Sequence, residues 1–135
     1  MTTTAVRALG EIALRVNDLD AMRRFYNYTF GLEEIGSFEN IAFFKLADGY
    51  AGHTAILALF NRDVEVDSRR GTVDHIAFTI SLEDYDSEKE RLETLGMEVT
   101  TAVHGWVQWR SIYVHDPEGN QVELVCFDPS IEKPQ

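Results

Sequence analysis

Hydrophobic and polar positions alternate in several short runs of this chain. In Gly10-Glu11-Ile12-Ala13-Leu14-Arg15-Val16 the residues Ile12, Leu14 and Val16 share one side, and in Asp74-His75-Ile76-Ala77-Phe78-Thr79-Ile80 so do Ile76, Phe78 and Ile80. A period of two predicts strands with one face on a core. The two runs also match position by position: Glu11 falls on His75, Ile12 on Ile76 and Ala13 on Ala77, with 75 − 11 = 64. An internal repeat of that length signals two copies of one supersecondary unit.

A helix is expected after each strand. Asn17 or Asp18 is a fitting N-cap before Leu19, Met22, Phe25 and Tyr26, and Ser81 with Asp84 comes close to a capping box before Tyr85, Leu92 and Leu95. Gly31 and Gly96 stand where a left-handed cap ends each helix. Three strands are predicted after each glycine: Leu32 to Ile35, Ile41 to Leu46 and Thr54 to Phe60, then Glu98 to Ala102, Arg110 to Val114 and Gln121 to Phe127. Turns are placed at Asp48-Gly49 and at Asp116-Pro117-Glu118-Gly119-Asn120. Each half reads β-α-β-β-β, with module one over 6–60, a polar linker over 61–71, module two over 72–127, and a frayed tail from Asp128.

The last strands align as well. Ala58 falls on Glu123, with 123 − 58 = 65. Positions 11, 75, 58 and 123 therefore form a pseudo-symmetric set, three of which carry metal-capable groups: Glu11, His75 and Glu123. Each lies opposite the apolar stripe of its strand, on the face the sheet encloses. Singly, a strand histidine packs and a strand glutamate is solvated. Three such groups converging in a cavity carry a desolvation cost that a divalent cation relieves.

Composition narrows the function classes. The 135 residues suit one domain, and 44% hydrophobic residues can bury a core. A net charge of −11 argues against nucleic acid as a partner. No apolar run reaches membrane-spanning length, the first ten residues do not read as a secretory signal, and the lone Cys126 leaves no internal disulfide; a cytoplasmic protein is expected.

Gly10 to Leu19, Arg24-Phe25-Tyr26, Phe30-Gly31-Leu32, Val73 to Phe78 and Tyr113 to Leu124 together resemble the glyoxalase, bleomycin-resistance and dioxygenase proteins of the vicinal oxygen chelate superfamily. The Asp-Pro-x-Gly-Asn-x-x-Glu element ending at Glu123 carries the resemblance furthest. It implies an α+β fold of two βαβββ modules in a cupped, barrel-like mixed sheet around one metal, a homodimer, and a small-molecule substrate that chelates the metal through neighbouring oxygens. The reaction would be a lyase, isomerase or dioxygenase reaction.

The chain departs from that family at two ligand positions. Glu11 stands where His or Gln is usual, and Ala58 where glyoxalase I has Glu. One His with two carboxylates favours Mg²⁺, Mn²⁺ or Fe²⁺, with Zn²⁺, Ni²⁺ and Co²⁺ also compatible. Glu123 is expected to act as ligand and proton carrier. His104 and Tyr113 resemble the second-sphere pair of extradiol dioxygenases. Ser111 and Tyr113 resemble fosfomycin-modifying thiol transferases, but Ala13, Val103 and Glu132 replace the Thr, Lys and Arg those would need. Phe60, Trp106, Trp109, Arg110 and Tyr113 are the expected cavity wall, with Arg15 or Arg110 available to a substrate carboxylate. The alternative function is a bleomycin-resistance-type protein that sequesters a cationic ligand without catalysis.

Overall fold

A computed structural model describes residues 6–62, 65–67, 71 and 73–134. The chain divides into two units, residues 1–67 and 68–135. Each contains a four-stranded mixed sheet with the same topology: the first strand runs parallel to the last, and the remaining pairs are antiparallel.

In the first unit, β1 (Glu11–Val16) leads into α1 (Leu19–Arg24) and a π-helical turn (Phe25–Thr29); β2 (Glu34–Phe38), β3 (Ile41–Tyr50) and β4 (His53–Asn61) follow. The strand order is β1-β4-β3-β2. Of the two N-cap candidates, Asp18 serves, its Oδ1 accepting from the Ala21 amide at 3.0 Å. Asn17 instead bonds both backbone groups of Val66, tying down the segment after β4. Leu14 and Val16 on β1, Ala42 and Phe44 on β3, and Leu57 and Leu59 on β4 are buried on one face, with Leu19, Met22, Phe25 and Tyr26 above them. Each of the larger of these side chains contributes about 1.5–3 kcal/mol of burial.

The β3–β4 hairpin corrects the expected turn. β3 continues through Asp48 and Gly49 to Tyr50, and Tyr50 pairs with His53 across a two-residue loop, Ala51-Gly52. Both loop residues have positive φ (52° and 85°), the geometry whose twist matches the flanking strands. Gly49 sits at an irregularity in the ladder with φ +77°, where an added Cβ would collide with the His53 carbonyl. It is a bulge glycine rather than a turn glycine. β2 likewise begins two residues later than expected. Gly31 takes positive φ and the Leu32 amide bonds back to the Tyr26 carbonyl, so Leu32 belongs to the helix cap.

In the second unit, β5 (His75–Thr79) precedes a 3₁₀ turn (Leu82–Asp84) and α2 (Tyr85–Thr94), then β6 (Thr100–His104), β7 (Trp109–His115) and β8 (Gln121–Phe127). Their order is β5-β8-β7-β6. The capping box at Ser81 does not form. Ser81 makes no side-chain cap bond, because the 3₁₀ turn intervenes and puts Asp84 directly before α2. Ile76, Ile112, Val114, Val122, Leu124 and Cys126 are buried, together with Tyr85 and Leu92 of α2. The Tyr85 hydroxyl donates to the Ser111 carbonyl at 3.3 Å, which docks the helix on β7. Leu95 lies beyond the helix and is exposed.

The expected linker falls partly on β4, which includes Asn61, and partly outside the described residues. The tail is not frayed. Asp128 is buried, its Oδ2 accepting from Arg110 Nε and Nη2 (3.0 and 2.9 Å) and its Oδ1 from the Ser130 amide and hydroxyl (2.9 and 2.6 Å). Gln108 adds a bond from its side chain to the Ile131 carbonyl at 3.0 Å.

The Ser130 hydroxyl and amide, and then Arg110, hold the Asp128 carboxyl below its ordinary value. A depressed folded-state pKa gives stability that is present above the unfolded value, about 3.9, and is lost as pH falls through the lower folded value. Asp128→Asn is therefore expected to lower the melting temperature at pH 7. The gap between wild type and variant should stay constant down to about pH 5 and close below about pH 4. Thermal melts from pH 7 to pH 3 test this; a gap that does not close in acid contradicts it.

Candidate metal centre

The register of the parallel pairs makes the repeat geometric. Ala13 pairs with Ala58 in the first sheet and Ala77 with Glu123 in the second. Glu11 and His75 each stand two residues before those pairs on the first strand. Positions 58 and 123 are thus structural equivalents, as are 11 and 75.

In the second sheet, alternation puts His75, Ala77, Glu123, Ser111, Tyr113, Trp109 and His104 on the face away from α2. Glu123 is 5% exposed and Ser111 fully buried. A carboxylate so enclosed needs partners. One oxygen, Oε2, accepts from Ser111 Oγ at 2.6 Å. The other, Oε1, lies 3.2 Å from His75 Nε2.

The far side of the imidazole is also held. His75 Nδ1 is 2.7 Å from Asp74 Oδ2. A carboxylate can only accept, and each ring nitrogen faces one, so a neutral ring with its single hydrogen leaves one nitrogen's lone pair against a carboxylate oxygen. Two acceptors face each other there, and positive charge must lie between them, as a second ring proton or a cation. Adjacent ligands at about 2.1 Å from an octahedral ion stand about 3.0 Å apart. The 3.2 Å separation therefore fits a shared divalent ion, with Asp74 and Ser111 as the outer partners that such ligands ordinarily have.

Among the described residues no set of three or more His, Cys, Asp or Glu side chains is gathered as a complete metal site. The structure brings His75 and Glu123 together. Glu11 lies on β1 of the first unit, paired with Ile56 in the ladder, and its side chain is exposed.

The other expected site residues divide in the same way. His104 Nε2 and the Tyr113 hydroxyl bond at 2.9 Å, and Tyr113 pairs directly with Glu123 across β7 and β8. Burial raises the Tyr113 phenol above its ordinary value; a hydrogen bond with Ser111 partly offsets this, and the charge of Glu123 adds to it. At neutral pH the phenol keeps its proton. Trp109 shares the Glu123 face, two residues from Ser111, and is exposed. Trp106 is in the exposed turn between β6 and β7. Phe60 belongs to the first unit, edge-to-face with Phe43 at 6.1 Å and beneath the Arg62 guanidinium at 4.4 Å.

Arg110 is placed differently from the expectation. It alternates onto the α2 side of β7, 5.6 Å over the Tyr85 ring, and its guanidinium is committed to Asp128. Cys126 is buried on the same side, and burial raises its thiol, leaving it unreactive. The site residues that the sequence reading missed are Asp74 and, as partner to Glu123, Ser111. The signals were an acid directly before the candidate histidine and a lone hydroxyl on the ligand side of β7.

A mixed-sheet βαβββ module, present twice and bringing a His–Glu pair together in its second copy, defines a class. The chain belongs to the Glyoxalase/Bleomycin resistance protein/Dioxygenase superfamily, whose model matches residues 8–124. It is similar to the fosfomycin resistance protein FosX of Listeria innocua, 32% identical over 123 residues that cover 88% of this chain and 89% of that one. The metallothiol transferase FosB of Bacillus licheniformis is 28% identical over 127 residues, covering 92% and 78%. A crystal structure of FosX from Listeria monocytogenes complexed with Mn(II) and a sulfate ion superposes with a TM-score of 0.70 at 30% identity, covering 92% of this chain and 93% of that one. No helix among the described residues is long and apolar enough to cross a membrane.

Proposed function

We propose that the chain is a metal-dependent enzyme acting on a small molecule whose neighbouring oxygens chelate a divalent ion. The observation that carries this is the His75 Nε2–Glu123 Oε1 pair at 3.2 Å, with each ligand steadied from behind by Asp74 or Ser111. Glu11 is assigned as the third ligand on the repeat alone, as the counterpart of His75. One nitrogen and two carboxylates favour Mg²⁺, Mn²⁺ or Fe²⁺, and the Mn(II) held by the Listeria FosX supports that range.

When bound, the ion supplies Lewis-acid stabilisation of negative charge on substrate oxygen. The chain's own groups manage protons. The Tyr113 hydroxyl, hydrogen-bonded to His104 Nε2 and paired across the strands with Glu123, is placed to donate to an oxygen of the substrate. Trp109, on the same face, offers an apolar surface to the body of the substrate.

The activity named for FosX and FosB is not carried over whole. Among the described residues of the second unit, Lys89 pairs with Glu93, Arg91 with Glu88, and Arg110 with Asp128, and Lys133 is in the tail. Among the described strand residues of the second unit, none on the Glu123 face is a lysine or arginine. Ala13, Val103 and Glu132 are likewise uncharged or acidic. A less strongly anionic oxygen chelator is the substrate class we infer. Nothing observed favours the sequestering alternative.

Elemental analysis of the purified protein after mild dialysis is expected to find about one divalent ion per chain, lost in Glu11→Ala. A protein that takes up no ion even after metal is added back would overturn the proposal. Retention of the ion by Glu11→Ala would remove Glu11 alone.

A further inference from the structure

The two oxygens of Glu123 have different neighbours. Oε1 points to His75 Nε2, whereas Oε2 takes the Ser111 hydroxyl at 2.6 Å. That distance lies in the range of charge-assisted O–H···O⁻ bonds, about 2.5–2.7 Å. Ser111 is fixed on both sides. It is fully buried, it stands in β7 beside β6 and β8, and its carbonyl receives the Tyr85 hydroxyl from α2. Swinging the serine off would cost the buried Oε2 its 2.6 Å hydrogen bond, so the bond constrains Glu123.

We infer that Ser111 is a positioning residue that makes Glu123 a one-oxygen ligand, keeping neighbouring coordination positions free for the paired oxygens of the substrate. The inference rests on the metal-dependent reading above and deepens it. A carboxylate free to use both oxygens would occupy two positions on the ion, and a substrate that must chelate would find too few. Engaging Oε2 in a hydrogen bond withholds that oxygen from the ion. A two-oxygen grip also suits a larger, more loosely coordinated ion such as Ca²⁺, whereas one-oxygen ligation suits octahedral Mg²⁺ and Mn²⁺. Ser111 therefore bears on the choice of ion as well as on the space left open.

The test is read on the protein without substrate. Infrared difference spectra of the ¹³C-glutamate-labelled protein on Mn²⁺ addition are expected to show the wide carboxylate band splitting of one-oxygen ligation in the wild type. Ser111→Ala should narrow that splitting. It should also weaken Mn²⁺ binding by about 10- to 100-fold, the usual effect of removing an outer partner, and bring Ca²⁺ affinity closer to Mn²⁺ affinity. Ser111→Thr, which keeps the hydroxyl, should retain the wild-type ratio of Ca²⁺ to Mn²⁺ affinity. A wild-type spectrum showing two-oxygen ligation overturns the inference, even if Ser111→Ala does not fold. So does a Ser111→Ala protein with unchanged splitting and an unchanged ion ratio. Either result leaves the metal-dependent reading standing, whereas a wild type that binds no Mn²⁺ removes both.

Discussion

Alanine in place of His75 should weaken divalent-metal binding by more than the 10- to 100-fold that loss of an outer partner costs, while the protein stays folded. The reason lies in how the ring is held. Its side chain is 39% exposed, and β5 is secured by its parallel ladder to β8 and by the burial of Ile76. The substitution removes a ligand and little packing. It does leave the Glu123 carboxylate with the Ser111 hydroxyl but without the imidazole, so some loss of stability accompanies the loss of metal. Titration calorimetry with Mn²⁺, alongside circular dichroism, separates the two effects. Wild-type affinity in a folded His75→Ala protein would show that the ion binds elsewhere.

The largest expected loss of stability is in the other half. Phe44 is fully buried on β3, paired with Leu57 on the face that α1 covers. Phe44→Ala leaves a cavity the size of an aromatic ring between helix and sheet, which costs about 3–5 kcal/mol. Phe43, the next residue, points to the opposite face and meets Phe38 and Phe60 edge-to-face at 6.2 and 6.1 Å. Because it is only half-buried, Phe43→Ala should cost about 1–2 kcal/mol. Urea unfolding of the two variants compares them directly. Equal losses would contradict the assignment of faces.

The faces of β1, β5 and β8 were readable from alternation, and the β-α-β-β-β order of each half from the repeat together with its caps and turns. Ile12-Leu14-Val16 and Ile76-Phe78-Ile80 announced two equivalent strands, and the offset of Ala58 to Glu123 matched the register later found in the parallel ladders. β8 has the predicted bounds, Gln121–Phe127. The aspartate-led turn also forms as read, with Asp116 Oδ1 accepting from the amides of Glu118 and Asn120 at 3.0 and 2.9 Å.

What escaped the sequence was chemistry that depends on exact register. Asp-Gly is equally at home in a turn and in a bulge, and only the ladder around Gly49 decides between them. The tail after Phe127 contains too few apolar residues to predict order. Its anchor is a buried aspartate whose partners, Arg110 and Ser130, are distant and near in sequence respectively. Arg110 was expected on the substrate side because it is cationic and close to Tyr113. Strand parity, already visible in Ile112 and Val114, would have placed it on the helix side. Of the three expected ligands, the pair His75 and Glu123 is brought together within one sheet, and Glu11 belongs to the other.

The first sheet has Ala58 where the second has Glu123, yet it builds the same ladder with the same strand order. The architecture thus contains its own internal control: a sibling module that reaches its native form with no carboxylate at that position. Circular dichroism of the metal-stripped protein is expected to show the fold retained; loss of the fold on stripping would contradict this. A small metallodomain that collapses when stripped must acquire its ion while folding, and keeps whichever it met first. The strand pairing of the second sheet, like that of the first, is accompanied by its own apolar burial, so the ladder does not depend on a carboxylate at that position.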